Sequence, residues 1–190
     1  MHIGRVVKSN SHTDYVCRIY DQADRVPAPQ PADFPFAGFV HLGDAVGVIY
    51  RSELLNPDYG FQGPRLSVTD TIRSVITPDL INEQATLVGI LLLGEETAGR
   101  MVQGVPLRVV PIHAEVELLD DAAFLAFHRP QSGPLHVSYY PHLLNQTGPM
   151  GPALLLAILD RLAAMATAEE QVLLGVLRTT VSWQATLGQR

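Results

Sequence analysis

Hydrophobic and polar positions change their period once along the chain, near Leu119. Before that point, short β-branched and aromatic stretches alternate with turn chemistry. "IGRVV" (Ile3 to Val7) and "YVCRIY" (Tyr15 to Tyr20) flank "KSNSHTD", whose Ser, Asn and Asp suit a connecting loop, so the pair predicts a β-hairpin. In its second strand only Arg18 marks a polar side, which predicts a face that is partly covered. "DQADRVPAPQPADFP" follows; Pro27, Pro29, Pro31 and Pro35 exclude a central strand and predict an extended surface loop. "GFVHLGDAVGVIYRSELL" supplies two strands about an "LGD" turn, and "NPDYGFQGPR" is a further loop. Thr69 to Ile76 fits a short helix or a strand, with Pro78 interrupting either. "ATLVGILLLGE" (Ala85 to Glu95) is continuously apolar, as expected of a strand buried on both sides. "VPLRVVPIHAEVELL" ends the series, its Pro106 and Pro111 restricting strand pairing to an edge or a bulge.

Beyond Asp120 the period becomes helical. "DDAAFLAF" carries an Asp pair suited to a helix N-terminus, and "GPALLLAILDRLAAMA" places Pro152 in a first turn, where its missing N–H costs nothing. In "AEEQVLLGVLRTTVSWQATLG", Glu169 and Glu170 come early and Arg178 late, the order favoured by the helix dipole, and Leu173, Leu177 and Thr180 or Val181 recur at helical spacing. Roughly seven short strands with frequent turns argue for a closed barrel or sandwich rather than an alternating α/β sheet. The expected fold class is mainly β with C-terminal α: a small closed β-barrel over residues 1–119, then a helical segment over 120–190 that packs on the barrel or on a partner.

Composition narrows what such a chain does. With 190 residues and 47% hydrophobic content it can bury one good core. Only 17% of residues are charged and the formal net charge is -6, the wrong sign for binding by phosphate neutralisation. Among the basic residues only Lys8 is a lysine, and the arginines are scattered. A lone Cys17 excludes an internal disulfide and fits a reducing compartment, while strand-like sequence stands where a basic and apolar leader would lie; a cytoplasmic location is expected. The most apolar run, Gly151 to Ala168, carries Asp160 and Arg161 at its middle and predicts a buried helix rather than a membrane span.

The chemical motifs are mostly missing. There is no GxxxxGK[ST] loop, no GxSxG elbow and no HExxH, and the "HAE" at His113 to Glu115 lacks the PCxxC that a zinc deaminase site requires. His113, His136 and His142, with His128 and nearby carboxylates, are the one set that could build a metal or acid/base pocket, at the junction of barrel and helices. In an extended segment His136 and His142 share a face but lie about 20 Å apart, so a common site requires the chain to turn at Pro141. Cys17 reads as a small buried hydrophobe, and Glu115 with Glu117 as a solvated strand face. No catalytic residue, cofactor or metal ligand is therefore assigned. Tyr15, Tyr20, Phe39 and Tyr50 are the aromatics that a barrel binding single-stranded nucleic acid would use for stacking, against the acidic balance.

The succession "IGRVV", polar turn, "YVCRIY", "FVHLGDAVGVIY" resembles the HAS barrel, the small β-barrel at the front of HerA-type DNA-translocating ATPases and, more distantly, of ATP synthase subunits. "ATLVGILLLGE" and "VPLRVVPIHAEVELL" look like its closing strands, so the resemblance covers Met1 to Leu119. It implies oligomerisation and docking: such barrels stand side by side on a hexameric motor and help receive a partner nuclease. The chain departs from that family where a RecA-like ATPase would follow, so motor activity does not carry over. The expected function is a non-catalytic oligomerisation and docking module, accessory to a HerA-type DNA-processing complex, with a motor ATPase or nuclease encoded elsewhere as partner. Ile3, Arg5, Val7, Tyr15, Arg18 and Tyr20 on the first hairpin are the expected contacts, the first strand lying at a rim beside a neighbouring subunit. The helix from Pro152 to Ala166, apolar around most of its circumference, either leaves surface that self-association or docking covers or is buried completely by the barrel and the other helices, and the expectation is that the protein is not a monomer.

Overall fold

A computed structural model describes residues 1–55, 85–129 and 133–187, with side chains to position 182. Among these residues seven strands run β1 (His2–Ser9), β2 (Asp14–Ile19), β3 (Phe39–Leu42), β4 (Ala45–Leu55), β5 (Ala85–Thr97), β6 (Arg100–Gln103) and β7 (Glu115–Leu118). Four α-helices follow, again among the described residues: α1 (Asp121–His128), α2 (Tyr140–Thr147), α3 (Gly151–Ala163) and α4 (Ala168–Leu187). The Thr69 to Ile76 alternative falls outside the described residues.

The strands pair antiparallel in the order β2, β1, β7, β3, β4, β5, β6, and a further pairing of β2 with β5 closes six of them into a barrel. β6 is the strand left outside, hydrogen-bonded to β5 through a tight turn in which Ala98 and Gly99 both take positive φ. Pairing by period-two side chains explains the continuous apolar run of β5. Val88, Ile90 and Leu92 point into the barrel with Ile3, Val6, Cys17, Ile19, Val40 and Val116. Leu91 and Leu93 point outward with Phe39, Val46 and Val48, onto the helices.

Both barrel ends are stoppered by proline-containing loops. The 26–36 loop runs over the surface as expected, yet tucks Phe34 against the interior cluster. At the other end the 104–114 segment drives Val110 inside, where the Val110 N–H donates to the Tyr15 hydroxyl at 3.1 Å. Only Glu115–Leu118 of "VPLRVVPIHAEVELL" is strand. Pro106 and Pro111 have no N–H to give a ladder, and Val110 gains more by entering the barrel.

The helices pack on the outer face of β3, β4 and β5 and share one apolar core with it. Asp120 caps α1, its carboxylate accepting the Ala123 N–H at 2.8 Å, and Pro152 sits in the first turn of α3. The turn required at Pro141 is the start of α2, where proline occupies the first turn. Two open readings of the helices are resolved. α3 is covered: Leu154, Leu155, Ile158, Leu159 and Leu162 are all buried. On α4 the buried positions are Leu174 and Val181 with Leu177 half-buried, so Leu173 and Thr180 face outward. The rotation of α4 is set at its first turn. Thr167 and Glu170 form a capping box, and Glu170 also takes the Arg129 guanidinium at 2.6 Å.

Candidate interaction surfaces

The first hairpin is not a free rim. β1 pairs with β2 on one side and β7 on the other. Ile3 and Tyr15 point into the barrel and offer no surface to a partner. Val7 is half-buried, and Arg5 and Tyr20 form one exterior group. Arg5 Nε donates to the Tyr20 hydroxyl at 2.9 Å, and Arg5 Nη2 meets Glu115 at 3.3 Å, contacts that raise the arginine's already high pKa. Arg18 turns to the next loop, pairing with Asp21 at 2.7 Å and Asp24 at 2.9 Å. The six hairpin residues thus divide between interior and exterior, with the exterior charges already paired. Nor do the four aromatics considered for base stacking share a surface. Tyr15 and Phe39 are buried on opposite sides of the sheet wall, and Tyr50 donates its hydroxyl to Asp14 at 3.0 Å.

Among the four histidines considered for a pocket, only His128 is fully buried with both ring nitrogens bonded. It lies at the end of α1, fully buried among Phe39, Phe124 and Phe127. A carbonyl can only accept, so Nδ1 carries the proton and donates to the Phe124 carbonyl at 2.8 Å, leaving Nε2 to accept the Tyr139 O–H at 2.6 Å. Burial pulls His128 down to about 4 and drives the Tyr139 hydroxyl well above its ordinary 10. Both ring nitrogens are occupied, so the pair is a polar fastening inside an aromatic cluster and presents nothing to a substrate or metal. His136 is half-buried beside Pro134, whereas His113 is exposed on the 104–114 segment with its N–H bound to the Val6 carbonyl. His142 lies on α2, its pKa lowered by burial. Among the described residues no three His, Cys, Asp or Glu side chains are grouped so that they could hold a metal ion. Burial pushes the Cys17 thiol up to about 12, which keeps it protonated at neutral pH.

Two surfaces stand out instead for what they leave in water. The outward side of the 104–114 stopper carries Val105, Leu107, Val109 and Ile112, with Leu107 87% and Val109 70% exposed. Beside them a hollow of about 210 Å³ runs along the β3–β4 turn, bridged by Arg108 and Asp44 at 3.1 Å. The second surface is the outer face of α4, where Val172, Leu173 and Val176 are each about two-thirds exposed. Neither was legible as a surface in the sequence, because apolar residues there look the same whether they face in or out. A second concavity, an open groove of about 320 Å³ between Phe36, Leu118 and Ala157, contains Arg161, but that guanidinium is committed: it stacks 4.0 Å over the Phe124 ring and pairs with Asp121 at 2.7 Å.

No helix among the described residues is long and apolar enough to cross a membrane. No curated protein matches the chain. A family described as a domain of unknown function, DUF8166, matches residues 1–189, and the chain belongs to that family.

Proposed function

We propose that this chain is a non-catalytic oligomerisation and docking module, serving as an accessory to a DNA-processing complex of the HerA type. The observation that supports it best is the stopper of the barrel. A segment held inward by Val110 displays Val105, Leu107, Val109 and Ile112 to solvent within a few residues of one another. Scattered apolar residues are ordinary on a surface, but a contiguous group on an anchored segment is what a partner covers. The six-stranded closure is compatible with the barrel that the sequence resembles, and the net charge of -6 directs the docking toward protein rather than toward nucleic-acid phosphates.

The test is affinity capture from the native host with the unmodified chain and with the double substitution Leu107→Glu/Ile112→Glu, followed by mass spectrometry. A motor ATPase or nuclease recovered with the former and lost with the latter is the expected result. Equal recovery with both would remove the stopper from the reading, and recovery of neither class of partner would remove the DNA-processing context.

A further inference from the structure

The outer face of α4 is apolar in a more deliberate way than its valines alone suggest. Between Glu170 and Arg178 the helix carries no charge. Two hydroxyl residues on or beside the exposed face are turned back on the helix. Thr179 Oγ1 donates to the Gly175 carbonyl at 2.9 Å and Thr180 Oγ1 to the Val176 carbonyl at 3.0 Å, so that both present methyl groups outward. The opposite side of the helix is already occupied by α3 through Leu174 and Val181. What remains is a stripe of Val172, Leu173, Val176 and two threonine methyls, suited to a second helix.

We infer that a second copy of this chain covers that stripe, α4 packing antiparallel on α4 about a two-fold axis beside Val176. This deepens the self-association half of the proposal above and rests on it. Three features select this occupant. With the axis there, Leu173 falls against Thr180 of the second copy and Val172 against its Thr179, so both flanks of the stripe match themselves at one register. The stripe runs from Val172 to Thr180, so an axis beside Val176 lies at its middle. Charge then chooses the direction. A parallel pair would bring Glu169 and Glu170 of both copies together, while the antiparallel pair holds the Glu169 positions about 20 Å apart along the axis, beyond the screening length.

The native thiol is buried, so a single added cysteine reports on this contact without background. Oxidised Val176→Cys should run as a covalent dimer and Glu169→Cys as a monomer. Light scattering should give twice 20.7 kDa for the unmodified chain and 20.7 kDa for Val176→Glu with its circular dichroism retained. Should Val176→Glu not fold, the two cysteine variants carry the test. A wild-type mass of 20.7 kDa overturns both the pairing and self-association, but leaves docking through the stopper standing. A wild-type dimer that survives Val176→Glu, or that Val176→Cys does not cross-link, overturns the α4 contact alone. Equal cross-linking of both cysteine variants overturns the antiparallel register. A chain that remains monomeric alone and is held through this face by another protein overturns the second copy as occupant.

Discussion

The barrel interior and the layer between barrel and helices are separated by one sheet wall, yet they are built from different chemistry. Inside, the fully buried side chains are aliphatic with a single thiol and one tyrosine, whose hydroxyl is used by the stopper, and Phe34 closes one end. Outside, four aromatic rings converge with His128, and the polar atoms of that cluster satisfy each other. A closed barrel leaves no free strand edge in its wall and needs chiefly volume filled in its middle. A layer of helices resting on a sheet needs something that fixes where they sit, and directional hydrogen bonds do that better than aliphatic contact. The lesson is that this protein spends its buried polarity on positioning helices and little of it on the barrel.

Adjacent residues on β5 separate the two cores most sharply. Leu92→Ala and Leu93→Ala should each cost about 2–5 kcal/mol by urea unfolding. Amide exchange should distinguish them, with Leu92→Ala raising exchange throughout the barrel and Leu93→Ala raising it first in α1 and α3. The same exchange pattern for both would show that the cores are one cooperative unit.

Acid should affect the layer before the interior. In the unfolded chain His128 titrates near 6.5 and in the folded chain near 4, so between those values only the unfolded chain takes up the proton. Its contribution is complete above pH 6.5 and is lost as pH falls toward 4, about 3 kcal/mol in all, and His142 is shifted in the same direction by its own burial. Urea midpoints measured from pH 7.5 to 4.5 should fall accordingly, and a flat profile would contradict the buried neutral imidazole.

Tyr139→Phe keeps the ring and removes the donor to Nε2, leaving a buried acceptor unpaired at about 1–3 kcal/mol. A comparable loss in Tyr15→Phe would mean that the interior depends on polarity as much as the layer does. Smallest of all is Asp121→Ala. The carboxylate is largely exposed, so the loss of its pair with Arg161 should change stability by about 0–1 kcal/mol and fade with salt.

Much of the architecture could be read before the structure, because it rests on periodicity. The first hairpin, the two strands about "LGD", the doubly buried β5 and three helices follow from residue patterns that have one good solution. β6 could not be found that way. "RMVQ" is four residues with an arginine at one end and a glutamine at the other, and it is strand only because Ala98 and Gly99 turn the chain back on β5. α2 was obscured by Pro141, which reads as a break until it is placed in a first turn. The rotation of α4 depends on Arg129 meeting Glu170, residues 41 apart, and no local period carries that information. The candidate surfaces were the least legible part for the same reason: Leu173 and Leu174 are chemically alike and differ only in which way that contact turns them.

The pairing of β1 with β7 also fixes an order of events during synthesis. Arg5 and Glu115 join across 110 residues, and at about 5–20 residues per second the second strand emerges on the order of ten seconds after the first. β5, which closes the barrel against β2, comes late as well. Throughout that interval Ile3, Val6 and Ile19 have no interior to enter, so the nascent hairpin depends on its own turn and on whatever shields it at the ribosome.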